Sequence, residues 1–260
     1  MKASRWVWLP NSFTAMNVLL GFLSILVSVS ASLGQQGIPA AGEISPYNTA
    51  CWLILWATLF DVLDGKLAKL TGTTSEFGMR LDTFADAVTF GLAPAVLIFC
   101  TFLSPSHLPS PLGWIACGVY FSAAVFRLAR YNVQTAAEPV FGFIGLPTPA
   151  AALVGVSLYL SLGEASLVPA WAVACLMVLI GAAMVSPLRY PAFKGTYPLE
   201  KKVILGILLA MAAGTVVWGA ALVLLVSWGS FALVWGWAWV PSRRFWVPEL
   251  KGKKERHGHA

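Results

Sequence analysis

Residues 61–86 read DVLDGKLAKLTGTTSEFGMRLDTFAD, and this segment joins two apolar stretches of the chain, 49–63 and 81–102. Four of the eleven acidic residues of the protein lie here as aspartates, namely Asp61, Asp64, Asp82 and Asp86. An ionised carboxylate in so apolar a setting is costly to bury unless it is paired or binds a cation. The segment therefore predicts two helices in an apolar environment that meet at a functional site.

The apolar stretches continue along the chain and predict a membrane protein. Apolar residues make up 58% of the sequence and charged residues 11%, whereas soluble domains carry about 25% charged residues. Since a hydrocarbon core of about 30 Å needs about 20 helical residues, the first six stretches predict one span each, and the last is long enough for two. The stretches are Phe13–Leu33, Thr49–Leu63, Leu81–Phe102, Leu112–Tyr131, Pro147–Leu162, Leu167–Val185 and Val203–Val240. The predicted fold is all-α, a polytopic membrane helix bundle of about eight transmembrane helices with a turn near Trp218.

The distribution of Lys and Arg predicts the orientation of this bundle. The loops 34–48, 104–113 and 163–166 contain no Lys or Arg. The N-terminus, the loops 64–80 and 186–202 and the C-terminal tail are basic, and Arg127 and Arg130 end the fourth stretch. Cytoplasmic loops collect Lys and Arg. We therefore expect a multi-pass protein of the cell (cytoplasmic) membrane, with both termini and the acidic segment on the cytoplasmic side. This topology and attraction to anionic lipid explain the net charge of +6, so no nucleic-acid partner is expected.

The chain shows no internal division into domains. No linker or low-complexity segment interrupts it, which predicts one transmembrane domain over residues 1–240. The motifs discussed below fall within residues 8–195. Residues 241–260 are polar and basic and predict a cytoplasmic tail.

Helical spacing predicts where the aspartates point. At about 100° per residue, two sets of residues each share one helix face. The sets are Asp61, Asp64, Gly65 and Ala68 on one helix, and Gly78, Asp82 and Asp86 on the next. Four carboxylates facing one another repel unless a cation lies between them. A divalent metal with oxygen ligands is the simplest compensator, and Mg²⁺ or Mn²⁺ is favoured if phosphate oxygens complete its shell.

The small residues on these faces leave room for a bulky ligand beside the metal, such as a nucleotide diphosphate. Lys69 and Arg80 are nearby cations that could contact phosphate, or could extend to the lipid headgroups instead. Spacing alone also permits a different class of protein. Carboxylates inside a membrane protein can form a cation or proton relay in a transporter.

The pattern Asp61-x2-Asp64-Gly65-x2-Ala68-Lys69-x8-Gly78-x3-Asp82-x3-Asp86 resembles the signature of the CDP-alcohol phosphatidyltransferase family, D-x2-D-G-x2-A-R-x8-G-x3-D-x3-D. Every specified position matches except Lys69, which stands where the family usually has Arg. This exchange keeps the charge but loses the planar fork of the guanidinium. Further segments resemble the bacterial and archaeal serine-using branch of the family: 9–17, 71–78, 90–94, 127–132, 145–149 and 186–191.

The resemblance implies a reaction and a set of site residues. The reaction is metal-dependent transfer of the phosphatidyl group from CDP-diacylglycerol to the hydroxyl of L-serine, giving phosphatidylserine and CMP. The implied metal ligands are Asp61, Asp64, Asp82 and Asp86, with one or two Mg²⁺ or Mn²⁺ ions. Asp86 is also the implied general base. The implied contacts to CDP-diacylglycerol are Thr14, Asn17, Gly65, Ala68, Lys69 and Gly78.

The acceptor pocket is less well defined by the sequence. Arg127, Arg130, Asn132 and Arg189 are candidates for binding the serine carboxylate or the lipid phosphate. Simple anchoring at the cytoplasmic face would also explain the arginines, and helix-terminus hydrogen bonding would explain Thr14 and Asn17. A sister enzyme that uses glycerol 3-phosphate, inositol, inositol phosphate or choline stays open. The family also leads us to expect a homodimer in the lipid bilayer.

Overall fold

The computed structural model of the protein describes residues 8–34, 45–71, 75–104, 111–137, 143–163, 168–187 and 189–190. Its helices are α1 (Trp8–Ser32), α2 (Pro46–Thr71), α3 (Glu76–Leu103), α4 (Leu112–Ala137), α5 (Thr148–Leu162) and α6 (Ala170–Val185). Two short strands, β1 (Phe143–Ile144) and β2 (Arg189–Tyr190), pair antiparallel. This pairing brings the chain after α6 back beside the start of α5.

Within this part of the chain, the helices correspond one to one with the first six predicted spans. Among the described residues, three segments are long and apolar enough to cross a membrane: Asn11–Ser32, Glu76–Leu103 and Leu112–Gln134. Helices α5 and α6 are apolar but shorter, and α2 continues past its apolar stretch into the charged signature segment. The prediction of an all-α membrane helix bundle is confirmed. The stretch Val203–Val240 and the tail lie outside the described residues, so the last two helices remain a prediction.

The helices pack around a shared core. Helix α1 packs along α2, and α4 packs along α6. Each of the helices α2 to α6 contributes a large side chain that is fully buried: Ile54, Leu97, Tyr120, Val156 and Met177. Small buried residues such as Ala93, Ala124 and Ala151 let the backbones approach closely, as is usual between membrane helices. The bundle therefore holds α2 and α3, which carry the signature, against α1 on one side and α4 on another.

Helix α3 is continuous but not uniformly α-helical. It is α-helical over Glu76–Asp86 and Ala93–Ile98, and π-helical over Ala87–Leu92 and Phe99–Leu103. Ser75 caps its start, because the Ser75 hydroxyl accepts a hydrogen bond from the Gly78 amide at 3.0 Å. The first π-helical turn begins directly after Asp86, so the change of helical geometry lies at the acidic site.

Candidate active site

The aspartates of α2 and α3 converge as their spacing predicts. Asp61, Asp64 and Asp82 each place a carboxylate oxygen within 4.8 Å of the other two. Asp86 lies one turn further along α3, and its carboxyl group is in hydrogen-bonding contact with that of Asp61. The four carboxyl groups therefore form one cluster between the two helices.

The cluster fits a divalent cation. One buried carboxylate oxygen of Asp82 and one of Asp86 have no hydrogen-bond partner among the described residues. Buried polar atoms are nearly always satisfied, and like charges at this separation repel. A hard cation that takes oxygen ligands relieves both costs at once. The donor set consists of carboxylates alone, which is the chemistry that Mg²⁺ and Mn²⁺ prefer.

Helix α1 supports the cluster from the side. The Thr14 hydroxyl donates a buried hydrogen bond of 2.8 Å to Asp64 Oδ2. Asp64 is only 4% exposed, so this bond fixes one carboxylate oxygen inside the protein. A hydrogen bond of this kind orients a carboxylate for metal binding. Thr14 thus contacts the acidic cluster itself, and its predicted contact with CDP-diacylglycerol stays a prediction.

Asn17 lies one turn after Thr14 on the same side of α1. It is completely buried, and neither its amide nitrogen nor its amide oxygen has a hydrogen-bond partner within the described part of the chain. A buried amide without partners costs free energy. Its two polar atoms are therefore available to a ligand or to water, as the prediction for Asn17 requires.

The small residues of the signature differ in their surroundings. A Cβ atom on Gly65 would meet nothing within 4 Å, so the face of α2 beside Asp64 is open. A Cβ atom on Gly78 would lie 3.1 Å from Asn11 Oδ1, which shows that Gly78 permits the close approach of α1 to α3. Ala68 and Lys69 lie on α2, but their side chains are outside what the structure describes. A side chain would thus meet open space at Gly65 and would crowd the side chains of Asn11 and Ser75 at Gly78.

Arg127 of α4 reaches the cluster from the opposite side. It is 5% exposed, and its Nη1 donates to the Thr148 hydroxyl at 2.9 Å. Its guanidinium carbon lies 5.9 Å from the centre of the Tyr131 ring, and its charge interacts with that of Asp86. A buried guanidinium beside the acidic cluster is not explained by membrane anchoring, which needs only a cation at the water interface.

Two of the other predicted acceptor residues, Arg130 and Asn132, form hydrogen bonds to other helices. Arg130 donates to the main-chain oxygens of Met184 and Val185, at 3.2 and 2.8 Å, where it caps the C-terminal end of α6. Asn132 donates to the Thr83 hydroxyl at 2.9 Å and ties α4 to α3. Arg189 pairs with Ile144 in the short sheet, and its side chain is not among those described.

Arg80, the second cation near the signature, also has a local partner. It forms an ion pair with Glu76 one turn earlier on α3, and both side chains are 74% exposed. Exposed pairs of this kind contribute little to stability. The structure thus places Arg80 on the outer surface of α3.

The geometry and the comparisons with known proteins agree. The sequence profile of the CDP-alcohol phosphatidyltransferase family matches residues 7–180. The chain belongs to this family. The match spans the acidic cluster, Arg127 and all the described helices except the end of α6.

Several relatives of the chain carry more specific names. The CDP-diacylglycerol--serine O-phosphatidyltransferase of Helicobacter pylori is 34% identical over 188 residues, which cover 71% of this chain and 72% of that protein. The archaetidylserine synthase of Methanothermobacter thermautotrophicus is 33% identical over 198 residues, covering 75% and 74%. The CDP-diacylglycerol--serine O-phosphatidyltransferase of Methanocaldococcus jannaschii is 34% identical, with 72% and 75% covered.

The site of this CDP-alcohol phosphatidyltransferase also contains residues that sequence reasoning did not single out. Thr148 is completely buried and holds Arg127, and Asn11 packs beside Gly78. Both residues fall in segments that resemble the serine-using branch of the family, 145–149 and 9–17. That resemblance was the available signal. Hydroxyl and amide residues show no periodicity that would mark their roles.

Proposed function

We propose that this chain transfers the phosphatidyl group from CDP-diacylglycerol to the hydroxyl of L-serine, giving phosphatidylserine and CMP. The observation that carries the proposal is the cluster of four carboxylates between α2 and α3, with the buried Arg127 beside it. Clustered carboxylates suit a metal that binds a diphosphate, and a buried guanidinium suits a planar carboxylate such as that of serine. The names of the relatives support serine as the acceptor.

The reaction is a substitution at phosphorus. The serine hydroxyl oxygen attacks the phosphorus that bears the diacylglycerol, and its proton passes to the Asp86 carboxylate. The bond from this phosphorus to the bridging oxygen breaks, and CMP leaves with the electron pair. Asp61, Asp64 and Asp82 would hold a divalent cation, which would neutralise negative charge on the diphosphate and on the leaving CMP. Asp82 and Asp86 are the residues that would share a second ion.

The nucleotide side of the pocket is assigned to α1, α2 and the start of α3. The proposed contacts to CDP-diacylglycerol are Thr14, Asn17, Gly65, Ala68, Lys69 and Gly78. The open space at Gly65 and the unpartnered amide of Asn17 support this assignment. At Gly78 the absence of a side chain also leaves room for Asn11 of α1.

The proposed setting is the cytoplasmic membrane. The distribution of Lys and Arg supports a cytoplasmic position for both termini and for the acidic cluster. Serine and the CDP group would then enter from the cytoplasm, and the acyl chains would stay in the bilayer. A homodimer is a further expectation from the family.

Arg127 is the proposed contact for the serine carboxylate. We expect Arg127→Lys to raise the KM for serine about 10- to 100-fold with a smaller change in kcat. A charge-assisted hydrogen bond contributes about 1.5–3 kcal/mol, and an ammonium group cannot reproduce the two-point contact of a guanidinium. The measurement is the rate of CMP release over a range of serine concentrations.

Arg130→Lys is the matched comparison, because Arg130 is an arginine one turn later on the same helix that binds the end of α6. We expect it to lower the melting temperature and to change the KM for serine less than Arg127→Lys does. If the two variants raised the KM for serine equally, the assignment of the serine carboxylate to Arg127 would be wrong.

The acceptor is tested by CMP release from CDP-diacylglycerol by detergent-purified protein with Mg²⁺ or Mn²⁺. Serine, glycerol 3-phosphate, inositol, inositol phosphate and choline are compared. We expect metal-dependent release with serine alone. Release with another acceptor would keep the family and replace the substrate, and no release with any acceptor would contradict the proposed activity.

A further inference from the structure

The turn behind Asp86 departs from α-helical geometry. Residues Ala87–Leu92 form a π-helical turn, called the π turn below, and it follows Asp86 without a break. Short π-helical segments inside α-helices are rare and are found frequently at functional sites. The direction of the Asp86 side chain depends on the backbone that follows it, so anything that holds this turn also holds Asp86.

Helix α1 holds the π turn on one side. The Thr89 hydroxyl donates a buried hydrogen bond of 3.1 Å to the main-chain oxygen of Asn17. At this point Gly21 lets the two helices come into contact, since a Cβ atom there would collide with Thr89. The π turn is therefore bound to the same helix that donates to Asp64 through Thr14.

Helix α4 holds the π turn on the other side. The hydroxyl of Tyr120 donates to the main-chain oxygen of Phe90 at 3.0 Å, and Tyr120 is 1% exposed. An α-helix would supply the amide of residue 94 to this oxygen, but residue 94 is proline and has no amide hydrogen. The tyrosine hydroxyl thus gives this oxygen a donor from another helix, at a point where the proline cannot supply one.

We propose that Tyr120 and Thr89 are positioning residues, which hold the π turn so that the Asp86 carboxylate faces the acidic cluster in its reactive position. Neither residue contacts the carboxylates directly, so both act through the backbone of α3. The proposal rests on the proposed function, in which the Asp86 carboxylate takes the proton from the hydroxyl of the attacking substrate. A small displacement of a catalytic group lowers turnover strongly even when the fold is kept.

The first test is Tyr120→Phe, which removes only the hydroxyl. The matched control is Tyr159→Phe, because Tyr159 is also buried and its hydroxyl lies 3.3 Å from Ser45, at the other end of α2 from the aspartates. We expect Tyr120→Phe to lower kcat by about 10- to 100-fold with little change in the KM for CDP-diacylglycerol. We expect Tyr159→Phe to keep kcat within about twofold of the unmodified protein, since its hydroxyl is remote from the reacting groups.

The second test does not depend on the tyrosine. Thr89→Val keeps the shape of the side chain but loses the donor, whereas Thr89→Ser keeps the donor. We expect Thr89→Val to lower kcat by as much as Tyr120→Phe does, and Thr89→Ser to keep most of the kcat of the unmodified protein. Hydrogen–deuterium exchange of a peptide covering 84–98 reports on the π turn independently of enzyme activity. We expect faster exchange in Tyr120→Phe and Thr89→Val, but not in Tyr159→Phe or Thr89→Ser.

The outcomes separate this proposal from the proposed function. The turnover of each variant is compared with that of the unmodified protein on the same acceptor substrate. The test therefore remains valid if the acceptor is not serine. If the unmodified protein shows no turnover, the proposed function fails, and the exchange experiment alone decides whether the two hydroxyls hold the π turn. Equal kcat for Tyr120→Phe and Tyr159→Phe, or equal loss for Thr89→Val and Thr89→Ser, would overturn the positioning role. If Tyr120→Phe does not fold, the Thr89 pair decides.

Discussion

Asp86→Asn lowers kcat for CMP release by about 10²- to 10⁴-fold, while the protein stays folded and continues to bind CDP-diacylglycerol. The expected loss is that of a general base, because the amide of asparagine has nearly the shape of the carboxyl group but cannot accept the hydroxyl proton. Asp86 is the group best suited to this role, since its carboxyl group contacts that of Asp61 and its charge interacts with that of Arg127 of α4. The proton acceptor and the proposed serine-binding cation therefore interact electrostatically.

The measurement is single-turnover CMP release together with equilibrium binding of CDP-diacylglycerol. Glu76→Gln is the matched control, because Glu76 is a carboxylate on the same helix that is exposed and paired with Arg80. We expect its kcat to stay within about twofold of the unmodified protein, as for a surface substitution away from the site. Turnover retained in Asp86→Asn would remove Asp86 from the role of base. Loss of both binding and turnover would indicate that Asp86 acts mainly as a metal ligand.

The arrangement of the aspartates could be predicted from the sequence because it is local. Asp61 and Asp64 are three residues apart on α2, and Asp82 and Asp86 are four apart on α3. Helical geometry alone puts each pair on one face. The short connection between α2 and α3 then leaves them as neighbours, and repulsion between buried carboxylates implies a cation. The structure confirms the convergence.

The supporting contacts could not be predicted, because each joins residues that are far apart in the sequence. Thr14 and Asp64 are 50 residues apart, and Arg127 and Thr148 are 21 apart. Such contacts depend on how the helices pack, and uniformly apolar helices carry little periodic signal about their neighbours. This is also why the sequence favoured none of the arginines as the contact to the acceptor.

The π turn was missed for a different reason. A π-helical turn changes the helical period over only a few residues, and here the residues of the turn, Ala87–Leu92, carry no charge that would reveal the change. Pro94 indicates only that one amide donor is absent. The donation from Tyr120 of α4 to the Phe90 oxygen is decided by the packing of the helices.

Asp61→Asn is the second substitution with a large expected effect, and it acts through the metal. Asp61 belongs to the set whose oxygens lie within 4.8 Å, and it also contacts Asp86. We expect the Mn²⁺ concentration that gives half-maximal activity to rise at least about 100-fold, with weaker binding of CDP-diacylglycerol. Thr14→Val removes only the hydrogen bond to Asp64. It should raise this Mn²⁺ concentration less, by about tenfold, as expected for a residue that orients a metal-binding carboxylate. Mn²⁺ binding followed by electron paramagnetic resonance gives the affinity without reference to turnover.

Asp61→Asn should weaken metal binding but raise the stability of the metal-free protein. Without a cation, four clustered carboxylates repel one another, so removing the charge of Asp61 should raise the melting temperature of the metal-free protein. Mn²⁺ at about 100 times its Kd should then stabilise the unmodified protein by about 2.7 kcal/mol and the variant far less. A reversal in the order of melting temperatures upon adding Mn²⁺ would identify the cluster as a metal site that reduces the stability of the fold until it is filled. If Asp61→Asn instead melts lower than the unmodified protein both with and without Mn²⁺, Asp61 stabilises the fold mainly through its contact with Asp86, and the metal must be held by the remaining carboxylates.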